Sequence, residues 1–254
     1  MDKDDLLKLD ERGVEHLLAL AYDRPPPVGS HSNPHAFVCS DGKTYWVKRN
    51  VQQGLVAELV AGRVAALAGA GPIARVVEVP HAALPAGGVA NHLVGTGVGT
   101  LDRRGAENAR HLQQFLPPQG QFDPATVDSA SRARVIAFQS WIGAGDSQVL
   151  IDLATGEVLS VDHGECFGSA DTLSDPAPIV TDIPGVSSDH GRTRRLIDRA
   201  VKAIQALTDR QLLEAVACVP NLPDWRGDAD RRLTIAVWLA HRRDRLGEVM
   251  QSWT

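Results

Sequence analysis

The stretch that most constrains this chain is Phe138 to Cys166, FQSWIGAGDSQVLIDLATGEVLSVDHGEC. It holds two short apolar runs, Val149-Leu150-Ile151 and Val158-Leu159-Ser160-Val161, separated by Asp152-Leu-Ala-Thr-Gly-Glu157. Glycine permits the left-handed backbone of a tight turn, so the runs predict a β-hairpin. A hairpin returns the chain beside its start, which sets Asp146 and Asp162 on one cleft. Two carboxylates so placed suit a divalent cation carrying nucleotide phosphates, with one carboxylate near a substrate hydroxyl. The same pattern also fits a surface hairpin with acidic ends, because Asp is common beside turns.

A second pair of charges lies upstream. His35 to Ser40 and Thr44 to Arg49 predict strands joined by Asp41-Gly42, a strong hairpin signal. Lys48 ends the second strand. Leu55, Leu59, Val60, Val64 and Leu67 recur at helical spacing, and Gly69 or Gly71 with Pro72 stops that helix. Glu58 sits beside this apolar stripe, where an unpaired carboxylate would be costly to bury. Lys48 is the evident cation, and the pair would aim Lys48 at phosphate oxygens; two unrelated surface charges is the alternative. Before the hairpin, Val28 to Pro34 forms a small polar loop. Its Ser30, His31 and Ser32 are candidates to cover phosphate through backbone N–H groups, although an ordinary connecting loop has the same composition.

The remaining chain supplies the frame. Leu6 to Leu20 predicts a short amphipathic helix, ended by Arg24-Pro25-Pro26-Pro27. Ile73 to Val79 and Ala90 to Val94 predict strands, and Gly95-Thr-Gly-Val-Gly99 predicts a flexible connection or a loop at the cleft. Residues 1–98 would form a small lobe and 99–254 a larger, mostly helical one, together a single two-lobed domain of the α+β class. In the second lobe, Glu107 to Phe115 predicts a short helix. Ser129 to Trp141 predicts a helix capped by Asp123 or Thr126 and leading into Asp146. Further helices are expected over Arg192 to Ala206, Asp209 to Cys218 and Asp228 to Arg243. Gly168 to Ser188 is an irregular Asp/Pro/Ser-rich excursion.

Composition excludes several classes. The 254 residues are 43% hydrophobic, enough for a core, and the net charge of -5 comes without a clustered basic surface, so no nucleic-acid signature is present. Three distant cysteines, Cys39, Cys166 and Cys218, fit a reduced cytoplasmic protein better than a disulfide scaffold. The acidic N-terminus is not a secretory signal, and no apolar run reaches membrane-spanning length. His163 with Cys166, and His31 with His35, lack the tight spacing of a persuasive zinc site. Cys166 is better small core filler than nucleophile, and Trp225, Trp238 and Trp253 are better core or rim aromatics than a base-stacking platform.

The order of loop, hairpin, Lys48 strand, Glu58 helix, glycine-bearing connection, helix into Asp146, hairpin and Asp162-His163-Gly164 resembles the protein-kinase-like fold. The segments YWVKRN and VAELVAGRVAALAGAGP look like the HipA-like kinases, relatives of the phosphatidylinositol kinases. The resemblance covers most of residues 28–168. It implies a small N-lobe of antiparallel sheet plus one helix, a helical C-lobe, and ATP with Mg²⁺, or Mn²⁺, between them. By position, Lys48 would contact the nucleotide phosphates, Glu58 would hold Lys48, and Asp146 would be the catalytic-loop aspartate. Gln148 would fall where a metal-binding Asn is usual, and Asp162 would bind the metal, with His163-Gly164 replacing the commoner Phe-Gly. The implied acceptor is a hydroxyl of a protein Ser/Thr, a lipid or a small molecule. Two departures stand out. Only Ser147 separates Asp146 from Gln148, where kinases usually place about four residues, and the loop lacks the Arg or His that usually accompanies the aspartate. Loss of a general base typically costs about 10²–10⁴-fold, so three classes remain: an active kinase, a nucleotide-binding pseudokinase that regulates a partner, and an interaction module independent of nucleotide.

Overall fold

The computed structural model describes residues 1–10, 15–26, 33–49, 54–108, 126–144, 148–164, 166–167, 190–225 and 227–251. The predicted loop candidates Ser30, His31 and Ser32, the predicted Asp146, the 168–188 excursion and Trp253 lie outside the described residues.

The first surprise is at the N-terminus. Leu6 to Leu20 is not one helix: α1 spans Lys3–Asp10 and a strand, β1, spans His16–Arg24. Alternation explains the strand. Leu17 and Ala19 are buried, while Leu18 and Leu20 face outward, a period of two that the leucine spacing disguised as helical. Leu6 is fully buried, and Asp10 receives both terminal nitrogens of Arg232 at 2.7 and 2.6 Å, which fastens α1 to the C-terminal helices.

β1 is followed by β2 (His35–Cys39), β3 (Thr44–Lys48), α2 (Gly54–Leu67), β4 (Ala74–Val79) and β5 (Gly95–Leu101). The expected antiparallel sheet is instead a closed barrel in the order β1-β2-β3-β5-β4, sealed by parallel pairing of β1 with β4. Closure removes the exposed sheet edges. Phe37, Tyr45, Val47, Val77 and Leu93 fill its interior. The predicted β2–β3 turn is present, with Gly42 at φ 77° and Asp41 accepting from the Lys43 N–H at 3.0 Å.

The expected strand over Ala90 to Val94 is a short 3₁₀ turn at Asn91–Leu93. The glycine run expected to be a flexible connection is β5 itself. Its glycines are needed for close approach: a Cβ on Gly97 would lie 2.6 Å from the Lys48 carbonyl oxygen, and one on Gly99 would lie 2.6 Å from Val77 Cγ2. Gly97→Ala should therefore push β5 away from β3 and lower stability by about 1–3 kcal/mol, the usual cost of overpacking. Urea unfolding checks this, and an unchanged midpoint would contradict it.

Helix α2 packs against β4 and β5 and also against the C-terminal helix Asp209–Ala217. Its buried residues encircle it, from Leu55 and Val56 to Val64 and Ala65, as expected of a helix apolar all round. Each buried Leu or Val contributes roughly 1.5–3 kcal/mol. Gly69, at φ 62°, turns the chain out of the helix.

Beyond the barrel come β6 (Ala106–Asn108), α3 (Ser129–Ile142), β7 (Gln148–Asp152) and β8 (Val158–Val161). Glu107 and Asn108, expected to begin a helix, are strand, and β6-β7-β8 form a second sheet. The cap of α3 is Asp128, whose carboxylate accepts from the Ala130 and Ser131 N–H groups, rather than Asp123 or Thr126. Trp141 donates its indole N–H to the Leu239 carbonyl at 2.9 Å. The helices α4 (His190–Gln205), α5 (Asp209–Ala217) and α6 (Ala229–Gln251) complete the larger part; the first two lie close to their predicted bounds, while α6 continues well past the expected end at Arg243. Trp225 and Trp238 are buried, as expected of core aromatics. No described helix is long and apolar enough to cross a membrane.

Candidate active site

Four residues from distant segments meet where the barrel faces the β7–β8 hairpin. Lys48 ends β3, Glu58 lies on the buried helix α2, Gln148 opens β7, and Asp162 follows β8 directly. The Lys48 Nζ donates to Glu58 Oε2 at 3.3 Å and to Asp162 Oδ1. Gln148 Nε2 donates to Asp162 Oδ2 at 3.0 Å.

The placement follows from local rules. Tyr45 and Val47 point into the barrel, so Trp46 and Lys48 stand on its outer face. The end of α2 is stitched to β8: Ser160 N–H donates to the Ala70 carbonyl at 2.8 Å, and a Cβ on Gly71 would lie 2.4 Å from the Ser160 carbonyl. That close contact fixes the distance between the Glu58 helix and the strand leading to Asp162. Gln148 pairs with Val161 across the hairpin, which brings its amide beside Asp162.

Glu58 is 2% exposed and Lys48 7%, so neither charge is compensated by solvent. Glu58 also accepts the His163 backbone N–H at 2.9 Å. Burial alone would push Lys48 down, but Glu58 and Asp162 outweigh it and hold its pKa above the ordinary lysine value. The ammonium therefore stays charged at neutral pH. Asp162 adopts φ 61°, a left-handed conformation that costs a non-glycine residue about 1–2 kcal/mol. Its two bonded oxygens and the anchored His163 N–H hold it there.

His163 is buried behind the site. Its Nε2 meets the Ser160 hydroxyl at 3.0 Å, that hydroxyl accepts from Gln139 Nε2 at 3.1 Å, and the ring lies edge-on to Phe138. Sequence reasoning placed His163 but missed Ser160 and Gln139 as its supports; Ser160, a lone polar residue in the apolar run of β8, was the available signal. Burial pushes His163 down to about 4, opposed by Glu58, reinforced by Lys48 and opposed by Asp162. A folded pKa below the unfolded value means full stability above about pH 6.5 and progressive loss toward pH 4. The change amounts to about 3 kcal/mol. His35, also lowered, by burial and then by His92, adds to the same slope. His163→Phe should flatten part of the fall in urea-unfolding free energy between pH 6.5 and 4; an identical slope would contradict this placement.

Chemically, a fixed ammonium can hold phosphate oxygens, while the Asp162 carboxylate and the Gln148 amide oxygen are hard donors. Mg²⁺ is commonly held by one or two protein oxygens and completed by phosphates and water. Among the described residues no group of three or more His, Cys, Asp or Glu gathers as a metal cage.

No family model matches the chain, and no curated protein matches it. Among solved structures it is similar to the Helicobacter pylori proinflammatory kinase CtkA, with a TM-score of 0.58 at 11% identity over 93% of this chain and 97% of that one. At so low an identity the likeness speaks to fold alone, and the general fold is kinase-like.

Proposed function

We propose that this protein is an ATP-dependent phosphotransferase of the HipA-like kinase type, which transfers the γ-phosphoryl group to a hydroxyl with the help of Mg²⁺ or Mn²⁺. The observation that carries the reading is the convergence of Lys48, Glu58 and Asp162, 114 residues apart at the extremes, on one charged cluster. Lys48 holds phosphate oxygens and Glu58 orients it. Asp162, with Gln148, holds the metal, whose charge offsets the negative charge on the transferring group. Asp146 is the candidate to orient the acceptor hydroxyl. The acceptor is a protein Ser/Thr, a lipid or a small molecule, and the setting is the cytoplasm.

A second reading has its own support. Both Asp162 oxygens are engaged by Lys48 and Gln148, so the metal must displace the amide N–H or turn it over. That favours a nucleotide-binding pseudokinase regulating a partner. Incubation with γ-labelled ATP and Mg²⁺ or Mn²⁺ separates the two. Label incorporated into the chain or an added acceptor supports transfer. Nucleotide binding without ADP formation supports the second reading, and absence of binding by folded protein rejects both.

A further inference from the structure

The mouth of the barrel holds a second polar cluster, on its inner side, whereas Lys48 stands on the outer face. His35 opens β2 and, like Phe37 two residues on, points inward. It is 1% exposed. Its Nδ1 lies 3.3 Å from the Tyr22 hydroxyl of β1, and its Nε2 is buried without a partner. Buried polar atoms nearly always find one. Among the described residues one other side-chain atom shares this state, Arg232 Nε, and the neighbouring Arg232 nitrogens hold Asp10. The orphaned imidazole nitrogen has no such company.

Beside it lies His92, from the 3₁₀ turn Asn91–Leu93. The two rings are 5.6 Å apart, centroid to centroid, and inclined at 64°. His92 Nε2 lies 3.4 Å from both the carbonyl oxygen and the side-chain nitrogen of Asn33, and among the described residues nothing bonds its Nδ1. Each ring therefore has one nitrogen against an oxygen, that of Tyr22 or that of Asn33, and one without a partner. With those oxygens accepting the N–H groups, His35 Nε2 and His92 Nδ1 carry the lone pairs. Metal-binding histidines are built this way, the second nitrogen donating to an oxygen that fixes tautomer and ring orientation. A tetrahedral Zn²⁺ bound at about 2.0–2.1 Å by two imidazoles sets their centroids roughly 5 Å apart, close to the spacing observed.

We propose that His35 Nε2 and His92 Nδ1 form a site for a divalent transition ion such as Zn²⁺, which ties the start of β2 to the turn before β5. Tyr22 and Asn33 are its positioning residues. Imidazole suits Zn²⁺, Ni²⁺ and Cu²⁺, whereas carboxylate and carbonyl oxygens, the donors at Asp162 and Gln148, suit Mg²⁺ and Mn²⁺. The two sites therefore select different ions, and this one stands whether or not the chain binds nucleotide. The protein supplies two ligands and water the others, in keeping with the absence of a three-residue cage among the described residues. His92 is half-buried, so the ion enters past its ring.

The test titrates Zn²⁺ into the intact chain, without nucleotide and with Mg²⁺ in excess, against a chromogenic chelator, and repeats the titration on His92→Gln, His35→Gln and Tyr22→Phe. One equivalent of Zn²⁺ should bind despite the Mg²⁺. Either histidine substitution should lower the affinity by more than about 100-fold, and Tyr22→Phe, which removes only a supporting oxygen, by about 10- to 100-fold. Co²⁺ in place of Zn²⁺ counts the ligands, because each bound imidazole gives one paramagnetically shifted N–H proton resonance. The intact chain should show two such resonances and His92→Gln no more than one, a readout that a merely structural role would not move. Should the buried His35→Gln fail to fold, His92→Gln decides alone, since its side chain is half-buried. No Zn²⁺ bound by the folded chain, or an affinity unchanged in His92→Gln, would overturn the site. Displacement of Zn²⁺ by Mg²⁺ would overturn it as well, by moving the ion to the carboxylates.

Discussion

Lys48→Met is expected to lower both nucleotide affinity and stability, and a second substitution should separate the two effects. Charge-assisted hydrogen bonds contribute about 1.5–3 kcal/mol, so ATP affinity should fall by roughly 10- to 150-fold. Stability should fall as well, because Glu58, 2% exposed, is left as a buried charge without its cation. Removing one partner of a buried pair typically costs about 3–5 kcal/mol. Relaxation of the site keeps the cost below the upper end, since the other carboxylate, Asp162, is 32% exposed and can turn to water. Adding Glu58→Gln removes the orphaned charge yet keeps an acceptor for the His163 N–H. The double variant should recover most of the stability in urea unfolding and none of the affinity. Recovery of both would mean that Lys48 serves the fold and not the ligand.

Asp162→Asn should act in the opposite sense. Asp162 is the more exposed partner, and Lys48 keeps Glu58 as its counter-charge, so stability should change less than in Lys48→Met. Metal assistance to a transferring phosphoryl group is worth several kcal/mol, so transfer from ATP should fall by about 10²- to 10⁴-fold. Binding of metal-free nucleotide should persist, since Lys48 remains. The measurement is the rate of label transfer from γ-labelled ATP at saturating metal. A rate equal to wild type would remove Asp162 from the chemistry.

Much of the site could be read locally. The Asp41-Gly42 hairpin signal put Lys48 at the end of a strand, helical spacing put Glu58 beside the apolar stripe of α2, and the Gly156 turn brought the two ends of the second hairpin together at Asp162. Each needs only the neighbouring residues and a periodicity. What escaped depends on contacts far along the chain. β1 reads as part of a helix because Leu7, Val14, Leu17 and Leu18 stand at mixed spacing without an apolar–polar alternation, and only the pairing of His16 to Leu18 with β4 reveals the strand. β5 looked like a loop because glycine has little intrinsic preference for strands; its glycines make sense only beside Lys48, Tyr45 and Val77. The contact of His35 with His92 joins β2 to the turn before β5, which no local pattern can announce. The buried helix α2 shows the same limit: its spacing was read as one apolar stripe, whereas burial runs all round it.

The central claim is that Lys48 and Asp162 share one metal-bound nucleotide. Titration of Mn²⁺ into the chain, followed by electron paramagnetic resonance with and without ATP, tests it most directly. The expected result is tight Mn²⁺ binding only when ATP is present, with phosphorus coupling to the bound metal, lost in Asp162→Asn. Mn²⁺ and ATP binding that are independent of each other, or that survive Asp162→Asn unchanged, would contradict it.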